Sequence, residues 1–169
     1  MSDITTLHDN VDASPRRKIA PSPYGRLTSR QTGDEWPLVF PFRDGYFNFS
    51  PNPPEWIIPI LEDICKLDLL PQNWDSYGAV PIGPETALKA MILVINLLSP
   101  NDPTPLIVPT RNGGIQLEWH DGGIDLEVEL VSPTRTDMLF EDDEREEEVE
   151  SVGLGAIKEK LTILRERLK

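Results

Sequence analysis

Asp75, Glu118, His120 and Asp121 are the side chains whose types could do chemistry together, since carboxylates and an imidazole bind metal ions or share acid-base work. A small hydrolase would need Asp75, Glu118 and His120 to converge in the fold. The spacing works against this. His120 and Asp121 are neighbours where the chain reads as a hairpin, so their side chains point to opposite faces. The second histidine, His8, lies in an unpatterned stretch, and no further imidazole completes a typical site. The alternative is an Asp121 that caps a turn beside an exposed His120. No metal ion and no cofactor is expected.

Two other segments hold recognisable chemistry. In Trp74-Asp75-Ser76-Tyr77-Gly78-Ala79, the functional reading is a binding pocket walled by Trp74, Tyr77 and Trp119. The structural reading is a compact turn in which Asp75 accepts hydrogen bonds from nearby amides, Gly78 adopts a left-handed conformation and the aromatics pack. Asn112-Gly113-Gly114 has the glycines of a phosphate loop, but no helix follows and no lysine stands where a P-loop needs one. It is expected to be a hairpin turn.

The elements that must position these residues follow from periodicity. Ile115, Leu117 and Trp119 alternate with Gln116, Glu118 and His120, and Ile124, Leu126, Val128 and Leu130 alternate with Asp125, Glu127 and Glu129. That is a half-buried antiparallel pair, with a turn expected at Asp121-Gly122. Leu106, Ile107 and Val108, bounded by prolines, predict a short edge strand before it. Thr136, Met138 and Phe140 predict another strand after the Ser132-Pro133 turn. The run 141–150 reads as a solvated loop with a short strand around Glu147 to Glu150.

Ahead of the strands, Ile57, Leu61, Ile64, Cys65 and Leu69 repeat with helical spacing, with Pro59 kinking or restarting the helix. A second helix opens at Pro84 and runs to about Leu98, before Ser99-Pro100. Ile157, Leu161, Leu164 and Leu168 place one apolar stripe on a basic C-terminal helix. That stripe suits packing on the sheet or a homodimer. The fold class is α+β: an antiparallel meander of three to five strands against two preceding helices and one C-terminal helix.

The chain divides into an arm over 1–35, polar and expected to be disordered, an aromatic hairpin or linker over 36–53, and one α+β domain over 54–169. In the middle part, strands 38–42 and 46–50 are expected around Asp44-Gly45, with Pro41 marking an edge. Its aromatics either join the core or form an exposed patch. Cys65 sits on an apolar helix face as a small buried hydrophobe. The start MSDITTLHDN has neither a basic region nor an apolar core of a secretory signal, so a cytoplasmic location is expected. The longest apolar stretch, Ala87 to Leu98, is interrupted by Lys89 and is too short to span a membrane.

The formal charge of −13 is unevenly placed: residues 1–53 carry six acids and six bases, leaving 23 acids against 10 bases afterwards. Such a body disfavours direct binding to nucleic acid or anionic lipid and suits a basic protein partner. Glu118, Asp125, Glu127 and Glu129 share one strand face, and like charges across adjacent strands repel. The basic C-terminal helix or a basic partner could neutralise them; the Arg16-Arg17-Lys18 triplet of the arm reads as a solvated tail, with docking on nucleic acid or on the acidic body of the same protein as alternatives.

Together, the NWDSYGA turn at 73–79 and PTRNGGIQLEWHDGGIDLEVEL at 109–130 resemble a group of small uncharacterised bacterial proteins. These share a Trp-Asp-x-Tyr-Gly-Ala turn and a Gly-Gly-Ile-x-Leu-Glu-Trp strand. The resemblance covers roughly 55–140 and implies a bacterial or phage-borne origin and a stable fold, without a chemistry. It directs attention to Trp74, Asp75, Tyr77, Gly78, Glu118 and Trp119.

The leading expectation is therefore a non-enzymatic, acidic protein-interaction domain of a bacterial cytoplasm, with Trp74, Tyr77, Glu118, Trp119, Glu127 and Glu129 as binding candidates. The runner-up is an inhibitor that mimics nucleic-acid charge. A small hydrolase is third.

Overall fold

Alternation of apolar and polar residues is realised strand by strand in a computed structural model, which describes residues 38–42, 45–49 and 51–169. The expected arm, with its Arg16-Arg17-Lys18 triplet, and Asp44 of the expected aromatic turn lie outside the described residues. Strand β1 (Val39–Phe42) pairs antiparallel with β2 (Gly45–Asn48). A five-stranded antiparallel meander follows in sequence order: β3 (Leu106–Pro109), β4 (Ile115–Asp121), β5 (Ile124–Ser132), β6 (Arg135–Asp142) and β7 (Arg145–Val149).

The β4–β5 pair is the centre of the sheet. Trp119 lies opposite Leu126 and Leu117 opposite Val128, and all their inward neighbours from Ile115 to Leu130 are buried. Asp121 does not make the turn. It pairs with Ile124 as the last rung of the ladder, and Gly122-Gly123 form the two-residue loop with φ of 63° and 73°. Two consecutive positive φ values are what a type I′ hairpin demands, and glycine meets that demand without steric cost. Asn112-Gly113 likewise sits in a longer connection, where Thr110 N–H donates to the Gly114 carbonyl at 3.0 Å and Gly113 N–H to the Thr110 carbonyl at 3.1 Å.

The acidic run differs from its expected form. Glu141 and Asp142 finish β6, and β7 begins at Arg145, with the turn between them. Asp142 Oδ1 accepts from the Glu144 and Arg145 amides at 3.0 and 3.1 Å, so the carboxylate organises the turn instead of repelling it open.

Three helices cover the inward face. Helix α1 (Ile58–Lys66) follows a 3₁₀ turn at Glu55–Ile57 and has Pro59 in its first turn, so the proline restarts the helix where its missing N–H costs nothing. Leu69 leaves the helical face for a second 3₁₀ turn and is exposed, and Cys65 is only half-buried. Helix α2 (Pro84–Leu97) packs on α1, β4 and β5, and α3 (Leu154–Arg167) packs on α2 and β5. The stripe Ile157, Leu161 and Leu164 is thereby buried within the chain, while Leu168 stays half-exposed. Phe40, Phe42, Phe47 and Phe49 join the same core through α1; Phe40 meets Phe49 edge-on at 5.8 Å. No helix among the described residues is long and apolar enough to cross a membrane.

Candidate functional site

With the helices gathered on one side, the outward side chains of the meander form an uncovered face. On β5 it presents Asp125, Glu127 and Glu129, spaced about 6.5–7 Å along the strand. Register brings further carboxylates against them: Glu118 of β4 lies opposite Glu127, while Glu141 and Asp137 of β6 lie opposite Asp125 and Glu129. Glu146 of β7 extends the row beside Glu141. Leu106 of β3, opposite Glu118, is an exposed apolar side chain on the same face.

Few groups offset this charge. Gln116 donates from Nε2 to Glu127 Oε2 at 2.6 Å. Arg135 forks onto Asp137 through Nε at 2.9 Å and Nη2 at 2.7 Å, and Asp137 also accepts from the Ser151 amide at 3.0 Å. The Arg135 fork and the Ser151 amide hold the Asp137 carboxyl below the ordinary range against the opposing effect of burial. His120 reaches Asp125 with Nδ1 at 2.6 Å and Glu118 with Nε2 at 3.3 Å. Its pKa is raised, first by the hydrogen bond to Asp125 and then by that to Glu118, because only the imidazolium donates from both nitrogens. At this end of the face, His120, Asp125, Glu141, Asp142 and Asp143 line an open cleft of about 450 Å³.

The basic C-terminal helix does not neutralise the row, contrary to one expectation. Three of its cations pair elsewhere: Lys160 with Glu147 on the inward side of β7, Arg165 with Asp102, and Arg167 with Asp143.

Asp75 belongs to a different place. Its Oδ1 accepts from the Tyr77 and Ala79 amides at 2.8 and 3.0 Å, and its Oδ2 pairs with Arg111 Nε at 2.9 Å. Arg111, unforeseen because its partner is 36 positions away in the chain, also donates to the Tyr77 carbonyl at 2.7 Å. Arg111 precedes β4 and His120 lies near its far end, five positions beyond Ile115, which separates the two groups by about 17 Å of extended strand. Glu118 and His120 meet, but Asp75 does not join them, so a three-residue hydrolytic centre is not assembled.

The aromatic pocket is not assembled either. Trp119 faces the core, 1% exposed, with Nε1 donating to the Pro103 carbonyl at 2.8 Å. Tyr77 projects outward at 80% exposed, with the Arg111 guanidinium 5.8 Å from its ring centre. Trp74 is half-buried in the turn. The turn's backbone takes the expected form, with Asp75 accepting from its amides and Gly78 at a φ of 95°, but Tyr77 points to solvent instead of packing. Among the described residues no group of three or more His, Cys, Asp or Glu side chains has the arrangement to hold a metal ion.

No family model, curated protein or solved structure matches the chain. The resemblance to the bacterial Trp-Asp-x-Tyr-Gly-Ala proteins therefore rests on the two motifs alone.

Proposed function

We propose that the chain is a protein-interaction domain whose uncovered acidic sheet face docks a basic protein surface. The observation that carries this reading is the Asp125–Glu127–Glu129 row, set opposite Glu118, Glu141 and Asp137, while Lys160, Arg165 and Arg167 of α3 pair with acids outside the row. Like charges directly opposite in a sheet oppose folding by about 0.2–1 kcal/mol per pair. A partner that brings lysine or arginine removes that repulsion on binding, and the exposed Leu106 adds an apolar contact at the edge. The regular spacing of carboxylates along β5 also favours a second reading, in which the partner's basic surface is one that normally holds nucleic acid. Both readings require the same face and the same partner chemistry.

The test compares the wild-type chain with E127Q/E129Q as bait. A basic protein retained by the wild type, lost by the variant and absent from an unrelated acidic bait supports the reading; equal retention by all three overturns it. Competition by duplex DNA then separates the readings, since only a nucleic-acid-binding partner is displaced by it in a salt-dependent manner.

A further inference from the structure

His120 stands near the end of β4 as a bridge between two carboxylates. Its Nδ1 lies 2.6 Å from Asp125 Oδ1 on β5, and its Nε2 lies 3.3 Å from Glu118 Oε2 on its own strand. Only the imidazolium carries a proton on both nitrogens, so both contacts are hydrogen bonds only while the ring is charged. A neutral ring keeps one proton, and its other nitrogen turns a lone pair onto a carboxylate. The shorter contact holds the proton on Nδ1, so the contact that fails is the one to Glu118. Glu118 has nothing else to turn to. Its side chain is 17% exposed, and among the described residues the His120 ring is its only side-chain partner. Across the ladders it faces Leu106 on β3, which offers no polar group, and Glu127 on β5, an acid that already accepts from Gln116.

We propose that His120 is a pH switch on the acidic face: protonated, it ties down Glu118 and Asp125 together; neutral, it keeps Asp125 and releases Glu118 to the outward surface beside Glu127. A carboxylate held largely out of water and facing a lone pair recovers its hydration by turning outward. No other charged group around the ring can take over the contact. Glu141 and Asp142 of β6 and Asp143 of the following turn share its cleft and are acids, Arg145 is paired with Asp142, and Arg167 of α3 is paired with Asp143. Asp121, the next residue of β4, points to the opposite face. Deprotonation thus removes a cation from the face and frees an acid on it, so a polycation binds more tightly as pH rises through the His120 midpoint. The two carboxylates set that midpoint above 6.5. The gain in binding rests on the docking face proposed above; the release of Glu118 does not.

The switch is read in the full chain by NMR, following the His120 ring nitrogens and the side-chain carboxyl carbon of Glu118 across the His120 midpoint. The expected result is that Nε2 loses its proton, Nδ1 keeps it, and the Glu118 carbon inflects at the same pH. H120Q, which cannot titrate, removes the inflection, while H8Q, which removes the only other histidine, keeps it. The second readout is the affinity of decalysine at constant ionic strength, one pH unit above and one below the midpoint. A single charge at roughly 6–8 Å in water makes binding about two- to fourfold tighter at the higher pH, and H120Q abolishes the difference. A Glu118 carbon that stays flat through the midpoint, a proton that remains on Nε2, or an affinity change that persists in H120Q each overturns the switch. A flat Glu118 carbon together with pH-independent decalysine binding fails the switch and leaves the docking face standing. An inflecting Glu118 carbon with no decalysine bound at either pH fails the docking face, and the regulatory use of the switch with it.

Discussion

His120 is the most informative single residue, because both its ring nitrogens face carboxylates on an otherwise acidic surface. A raised pKa means that the folded state holds the proton more tightly than the unfolded chain, whose value is near 6.5. The stabilisation is therefore complete below that value and fades as pH rises through the higher folded midpoint. We expect NMR titration to place His120 above 6.5 and D125N to bring it back towards 6.5. The stability difference between wild type and D125N should shrink as pH is raised. Asp75 has the opposite sign. Burial works to raise its pKa, but the Tyr77 and Ala79 amides and Arg111 together pull it below 3.8. Its contribution is present above 3.8 and lost as pH falls through the lowered folded value. D75N should therefore flatten the acid limb of a urea-midpoint profile while leaving its neutral-to-alkaline part parallel to wild type. Asp75 was legible as a cap because aspartate two residues ahead of an amide is a local pattern. Arg111 was not, since no local rule joins positions 75 and 111.

At the scale of elements, β7 is held to α3 by a buried cation. Lys160 is only 5% exposed, pairs with Glu147 and stands 4.8 Å from the centre of the Phe140 ring. Glu147 remains 41% exposed, so the pair is only half desolvated and its loss costs less than that of a fully buried one. K160A is expected to destabilise the fold by about 1–3 kcal/mol, through the lost pair and the unfilled space over Phe140. K160M, which keeps the volume, should be close to neutral in chemical denaturation. This contact also explains why the run 141–150 was misread as mostly loop. Its charges suggested solvent, but Glu147 points inward to a lysine and Asp142 caps a turn, and neither partner is visible from composition. The inward and outward faces of the β4–β5 pair were legible to the residue, because a strict period of two fixes which side chains face the core. The turn was misplaced by one position because Asp-Gly and Gly-Gly both satisfy hairpin chemistry, and only the ladder decides between them.

At the scale of the molecule, one face of the sheet builds the core and the other builds a charged plane, a division already written in the alternation of β4 and β5. What the sequence could not convey is where the compensating cations go. The amphipathic pattern of α3 fixed its apolar stripe but not which acids its lysines and arginines would meet. The plane therefore remains acidic among the described residues, and its cost to folding and its use in binding make opposed demands. E127Q/E129Q is expected to raise stability by roughly 0.5–2 kcal/mol through relief of cross-strand repulsion, with the gain shrinking at high salt. The same substitutions are expected to remove binding. The most direct measurement is the affinity of the basic protein recovered on the wild-type chain, compared between E127Q/E129Q and E55Q/E166Q, which removes the same charge from exposed positions off the face. An acidic docking face requires at least a tenfold loss for the first variant and less than a twofold change for the second. Equal losses in both, or no basic protein recovered at all, would contradict it.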